Sequence, residues 1–328
     1  MDSVPRAFTR RRMHNLVSTA LKREDEGREL PEHALGRSNT GARRHLIAGS
    51  NGETDVTNFH GRFVWYELIT TDMQSAKIFY SRVMDWGVLD ASMPGRAYTL
   101  FTAGSALVGG LMDLTNEARE MGGRPGWVGY VEVNDVDATA DRIKHLGGAV
   151  HVPPTDVPNI SRFCIFADPQ TARLAVLKWL RPTQGQPAEL GAPGRVGWHE
   201  LLAANWEKAL SFYVELFGWQ KADTETGEMG TYQMFSAGGQ TVGGIVTKPP
   251  TITVPFWLYY FHIGDLDAAT RRVKAAGGQI LNGPFELPGG SWIVQCADPQ
   301  GAIFALEGKR DQKAFGYFKD ARGRRWSW

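Results

Sequence analysis

Hydrophobic and polar positions along the chain fall into a recurring order of strand, helix and further short strands. Phe63 to Thr70 reads as a strand, Asp72 as the N-cap of a helix, and Ala76, Phe79, Tyr80 and Val83 as that helix's buried stripe. Tyr98 to Ala103 and Ala106 to Met112 read as strands joined by a glycine-bearing turn. The plan then repeats with Trp127 to Val133, a helix capped near Asp135 and stopped by Gly147-Gly148, and strands around Arg162 to Ala167 and Ala172 to Trp179.

The whole series is written twice. Trp65-Tyr66-Glu67-Leu68, Phe79-Tyr80 and Trp86 return 133 positions later as Trp198-His199-Glu200-Leu201, Phe212-Tyr213 and Trp219. Tyr98 and Gly109-Gly110 match Tyr232 and Gly243-Gly244, and Asp168-Pro169-Gln170 matches Asp298-Pro299-Gln300. The second helix of this type has Asn205 as its cap and Ala209, Phe212, Tyr213 and Leu216 as its stripe. Trp257 to Ile263, a helix from Asp265 to Gly277-Gly278, and strands around Trp292 to Ala297 and Ala302 to Glu307 complete the second copy. A strand-helix-strand-strand-strand unit therefore occurs four times, and each copy should fold alike.

This periodicity divides the chain into a flexible N-terminal extension (1–58), a first domain (59–180), a linker rich in Pro and Gly (181–195), a second domain (196–309) and a basic aromatic tail (310–328). Within the extension, Met13, Leu16, Val17, Ala20 and Leu21 have the spacing of one short amphipathic helix. A length of 328 residues allows two cores. Lys and Arg total 36 against 35 Asp and Glu, so no global field draws the protein to nucleic acid or an anionic membrane. The expected partner is a small organic ligand, with the chain a monomer or homodimer. The absence of an 18-residue apolar run and of a secretory leader points to the cytoplasm. Two cysteines, Cys164 and Cys296, make no disulfide framework.

The opening Trp-x-Glu-Leu strands, Asp135-Val136-Asp137, Asp265-Leu266-Asp267, the Gly-Gly helix stops and the Asp298-Pro299-Gln300-Gly301-Ala302 turn resemble the vicinal oxygen chelate superfamily. That superfamily includes glyoxalase I, bleomycin-resistance proteins and extradiol dioxygenases, and its tandem bacterial glyoxalase-like branch is the nearer match. The resemblance covers about residues 59 to 309. It implies an α+β fold of two tandem domains, each built of two paired βαβββ units forming a concave mixed sheet. Fold alone does not choose among the superfamily's chemistries. Its metal-dependent members place carboxylate, His or Gln donors on strands that here carry Trp65 and Trp198, Val128 and Leu258, and Ala175 and Ala305, with the remaining position near Gly109-Gly110 and Gly243-Gly244. None of these side chains ligates a divalent cation, so neither a metal nor another cofactor is expected.

Residues two apart share a strand face, which groups Trp65 with Glu67, Val128 with Tyr130 and Glu132, and Trp198 with Glu200. Glu67 and Glu200 are the candidate catalytic groups, because a carboxylate against apolar walls gains proton affinity and suits a general base or a partner for a cationic ligand. The bland alternative is a structural carboxylate accepting hydrogen bonds from backbone or Arg162. Trp65, Tyr130, Glu132, Arg162, Trp198, Tyr260, His262, Trp292 and Glu307 are the candidate ligand-binding residues. The tryptophans serve as stacking walls or as plain core-fillers, while Tyr98 and Tyr232 read as packing residues. His262 and Glu307 could join Glu200 in an unconventional metal set. The leading expectation is a metal-independent small-molecule-binding protein with two aromatic pockets, acting in sequestration, sensing or resistance. A lyase or isomerase using Glu67 or Glu200 as general base on a carbonyl substrate is the second, and an interface built from the Trp-Glu strands the third.

Overall fold

The computed structural model describes residues 59–92, 97–120, 122–181, 191–227, 230–287 and 290–310. The extension, the tail beyond Arg310 and residues 182–190 of the linker lie outside them.

The first copy runs β1 (Phe63–Thr70), α1 (Met73–Met84), β2 (Gly87–Asp90), β3 (Tyr98–Ala103), β4 (Ala106–Asp113), a short α2 (Asn116–Glu120), β5 (Gly126–Glu132), α3 (Val136–His145), β6 (Ala149–Val157), β7 (Ser161–Ala167) and β8 (Arg173–Trp179). The second runs β9 (Val196–Ala203), α4 (Trp206–Phe217), β10 (Gln220–Gly227), β11 (Gly230–Ala237), β12 (Gln240–Thr247), β13 (Phe256–Asp265), α5 (Leu266–Ala275), β14 (Gln279–Glu286), β15 (Trp292–Ala297) and β16 (Ile303–Lys309). Each of the four long helices starts at the side chain that the sequence offers as cap. Asp72 accepts from the Ser75 amide at 2.9 Å, Asp135 from Ala138 at 3.0 Å, Asn205 from Lys208 at 2.8 Å and Asp265 from Ala268 at 2.9 Å. Such a bond is worth about 1 kcal/mol and fixes where the chain leaves the sheet.

Each copy forms one eight-stranded mixed sheet, ordered β2-β3-β4-β1-β5-β8-β7-β6 and β10-β11-β12-β9-β13-β16-β15-β14. The two βαβββ units meet at the centre, where β1 runs antiparallel to β5 with Trp65 opposite Tyr130 and Glu67 opposite Val128. β4 and β8 flank this pair in parallel. The fold is α+β, and no helix among the described residues is long and apolar enough to cross a membrane.

One continuous core, rather than two, joins the copies through their helix-covered faces; it includes Leu68, Phe79 and Trp127 from the first and Leu201, Tyr259 and Phe304 from the second. The doubled motifs explain the seam. Tyr80 donates to Asp298 Oδ2 at 3.2 Å and accepts from Trp127 Nε1 at 3.0 Å; Tyr213 donates to Asp168 Oδ2 at 3.1 Å and accepts from Trp257 Nε1 at 3.2 Å. Each aspartate also accepts two amides of its own Asp-Pro-Gln turn, Gln170 and Ala172 or Gln300 and Ala302. Trp86 Nε1 reaches the Gly194 carbonyl and Trp219 Nε1 the Gly61 carbonyl, again across the seam. Tyr80→Phe removes a donor from buried Asp298 and an acceptor from buried Trp127, so it should cost about 1–3 kcal/mol in urea unfolding. An unchanged midpoint would mean that this bridge contributes nothing.

Candidate functional site

Tyr66 and Leu68 enter the common core, which turns Trp65 and Glu67 to the opposite, helix-free face of the sheet. There Glu67 is only 7% exposed. Tyr98 donates its hydroxyl to Glu67 Oε1 and Tyr130 donates to Oε2, both at 2.8 Å. Tyr130 comes from β5 next door, but Tyr98 comes from β3 and must cross β4. Gly110 permits the crossing, since a Cβ at that position would fall on the Tyr98 hydroxyl and 2.7 Å from its Cζ.

The second copy repeats the arrangement. Tyr260 donates to Glu200 Oε2 at 2.8 Å, and Tyr232, lying over Gly244, gives Glu200 a second hydrogen bond. Trp198 Nε1 donates to the Tyr232 hydroxyl at 2.8 Å and Gln295 Nε2 to that of Tyr260 at 3.3 Å. Burial raises the proton affinity of Glu200, against the opposing pull of the two phenol hydrogen bonds. Tyr98, Tyr232 and Gln295 are the participants that sequence reasoning left out. Their one signal was the repeated pairing of a tyrosine with Gly-Gly at a common offset.

The two helix-free faces differ toward the far end of β5 and β13. Glu132, two residues beyond Tyr130, has an Oε2 closed off from solvent without a hydrogen-bond partner among the described residues, and burial lifts its pKa to about 7. Trp179 Nε1 is likewise enclosed and unpartnered, and its ring stands edge-on to Trp65 at 6.3 Å. In the second copy the position of Glu132 is taken by His262, in register with Glu307, and Ser291 Oγ donates to Glu307 Oε1 at 3.0 Å.

Two candidate ligand residues stand elsewhere. Phe163 packs with Tyr130 and Leu177 on the helix-free face, so its neighbour Arg162 faces the other way, where it binds Asp137 and Asp156 at 2.7 Å rather than Glu67. Trp292 likewise packs against the common core under the Arg310 guanidinium, 4.7 Å from its ring centre, while its neighbour Ile293 packs beside Leu258 and Tyr260 on the helix-free face. The correction is one step of strand alternation: Arg162 and Trp292 occupy equivalent positions, but not on the face of Glu67 and Glu200.

The model of the Glyoxalase/Bleomycin resistance protein/Dioxygenase superfamily matches residues 62–176 and 195–306, which are the two sheets. The chain belongs to this superfamily. Among curated relatives, the glyoxylase-like protein CFP32 of Mycobacterium tuberculosis is 34% identical over 245 residues, covering 74% of this chain and 92% of that protein. The anthracycline biosynthesis protein DauV of Streptomyces sp. strain C5 is 31% identical over 259 residues, covering 75% and 92%. Solved structures share the fold: the Mn(II)-bound glyoxalase of Novosphingobium aromaticivorans has a TM-score of 0.54 at 17% identity, covering 77% of this chain and 83% of that one. Homoprotocatechuate 2,3-dioxygenase of Brevibacterium fuscum has a TM-score of 0.55 at 12% identity, covering 77% and 81%.

Metal-dependent members of the superfamily need several lone-pair donors converging on one point. Here Glu67 lies between Gly110 and Val128 and accepts a phenol at each oxygen, while Ala175 flanks Tyr130. Glu200 is held the same way, and Glu307 takes its hydrogen bond from Ser291. Among the described residues no three His, Cys, Asp or Glu side chains gather in a group that could hold a metal ion. The donor set does not fit a divalent cation.

Proposed function

We propose that the chain is a metal-independent small-molecule-binding protein with two aromatic clefts, acting in sequestration, sensing or resistance. The observation that carries this reading is the Glu-Tyr-Tyr cluster of each copy: it places phenols and an indole wall at the centre of the sheet, where a cation would need free lone pairs. A glutamate already holding phenol protons presents the phenol oxygens to a guest as acceptors, as Gln295 illustrates at Tyr260. Trp65 and Trp198 supply stacking surface beside them. The relative named for anthracycline biosynthesis agrees with a flat, polycyclic guest.

The test is calorimetry against a library of aromatic metabolites. Trp65→Ala or Trp198→Ala should weaken a hit at least tenfold, since truncating an aromatic anchor in a pocket commonly costs about 2 kcal/mol; unaltered binding in both variants would reject the clefts. One observation favours a second reading, a lyase or isomerase: burial keeps Glu200 proton-hungry, as a base that removes a proton beside a carbonyl must be. Turnover of the methylglyoxal-glutathione adduct that survives a chelator and disappears in Glu200→Gln would establish that reading instead.

A further inference from the structure

We propose that the first cleft binds a flat aromatic guest carrying a hydroxyl or amine donor for Glu132 and, at its other end, a carbonyl acceptor for Trp179 Nε1. This rests on the small-molecule-binding reading and specifies the guest.

The two atoms are a complementary pair. Glu132 Oε2 is an acceptor without a donor, and Trp179 Nε1 a donor without an acceptor. Both stand on the helix-free face of adjacent strands. Glu132 lies in parallel register with Leu177, and Trp179 is two residues further along the same strand, placing the Cα atoms roughly 8 Å apart. Side chains on that spacing meet the two ends of a bicyclic molecule rather than a single atom. A buried polar atom without a partner is costly, so a guest that satisfies both gains more than one that merely stacks. Trp65 supplies the face for stacking, held edge-on by Trp179, and Phe163 and Leu177 close the apolar wall.

The second cleft makes the contrast. Where the first has Glu132, Leu177 and Trp179, the second has His262, Glu307 and Lys309, and Glu307 already accepts from Ser291. The tandem copies therefore differ at these places: the first has a carboxylate and an indole with unmet hydrogen-bonding capacity, while the second has His262 at the Glu132 position and, at the Leu177 position, a carboxylate already engaged by Ser291.

The probes are 7-hydroxycoumarin, which has a phenol at one end and a lactone carbonyl at the other, and coumarin, which lacks the phenol. Titrated into the full chain at pH 7.5, where Glu132 is mainly a carboxylate, 7-hydroxycoumarin should bind at one site per chain, about tenfold more tightly than coumarin, the value of one well-made hydrogen bond. Glu132→Leu should erase that preference while leaving the unfolding midpoint no lower, and Trp179→Phe, which keeps a ring but removes the donor, should weaken both probes about tenfold. No binding of 7-hydroxycoumarin, or a preference that persists in Glu132→Leu, would overturn the proposal. Binding lost in Trp198→Ala but kept in Trp65→Ala would overturn it too, yet leave the binding reading standing with the guest in the second cleft. The broader reading falls on a different result: library hits indifferent to both tryptophans.

Discussion

Gly110→Ala should destabilise the protein by about 3 kcal/mol and disconnect Glu67 from Tyr98. The added methyl would occupy the position of the Tyr98 hydroxyl, 2.7 Å from its Cζ and 3.3 Å from Glu67 Oε1. Backbone of a central strand cannot yield, so the tyrosine must leave, and two costs follow. Overpacking strains the sheet by roughly 1–3 kcal/mol. A carboxylate that is only 7% exposed also loses one of its two phenol donors, at about 1–3 kcal/mol. Two controls separate this mechanism from a generic intolerance of alanine in the sheet. Gly126 sits on β5, on the far side of β1 from β4, with nothing within 4 Å of a Cβ, so Gly126→Ala should be neutral or slightly stabilising. Combining Gly110→Ala with Tyr98→Leu should cost less than the sum of the two changes, because the second makes room for the first. A Gly110→Ala protein as stable as wild type would show that Tyr98 does not need the space above that glycine.

The same residues show what a sequence can reveal. Local signals were legible because their causes are local: Asp72, Asp135, Asn205 and Asp265 cap helices three residues away, and the stripe of Ala76, Phe79, Tyr80 and Val83 is buried as its spacing requires. The doubled Trp-x-Glu motif marked the strands of the site. Of the tyrosines that clasp the glutamates, Tyr98 and Tyr232 were read as packing residues, since a donor 31 positions downstream from Glu67 declares itself only once β3, β4 and β1 are laid side by side. Arg162 and Trp292 were offered as ligand residues without counting alternation along β7 and β15, where Phe163 and Ile293 rather than they share the face of Glu67 and Glu200. Repetition in sequence was equally silent about purpose. Phe79-Tyr80, Trp86 and the Asp-Pro-Gln turns recur because each copy presents the same surface to the other, and Tyr80 meets Asp298 across 218 positions. The copies differ along that seam as well, with Tyr66 of the first facing His199 of the second.

That last difference predicts an acid limit to stability. His199 is fully inside the seam, stacked on Phe63 at 3.8 Å, with one ring nitrogen on the Val242 carbonyl at 2.7 Å and the other on the Tyr66 hydroxyl at 2.6 Å. A carbonyl can only accept, so Nδ1 carries the proton and Nε2 accepts from Tyr66. Protonating Nε2 would put a charge in the apolar seam and turn the Tyr66 proton away from its acceptor. Burial accordingly lowers the imidazole pKa from 6.5 to about 4. The unfolded chain takes up this proton as pH falls through 6.5 and the folded chain does so only near 4, so the unfolded state binds more protons in that window. Stability from this group is intact above pH 6.5, declines between 6.5 and 4, and by the bottom of the window is lower by about 3 kcal/mol. Glu200, Asp168 and Asp298 act in the opposite sense, because burial raises their pKa values and the folded state gains as they protonate. The histidine contribution is therefore isolated by comparison with His199→Phe, which keeps the stack on Phe63 but has no proton to bind. Wild type should lead that variant at pH 7 and lose about 3 kcal/mol relative to it by pH 4 in urea unfolding. A stability difference that stays constant across the window, or a His199 ring resonance titrating near 6.5, would show that the seam accepts the charged ring.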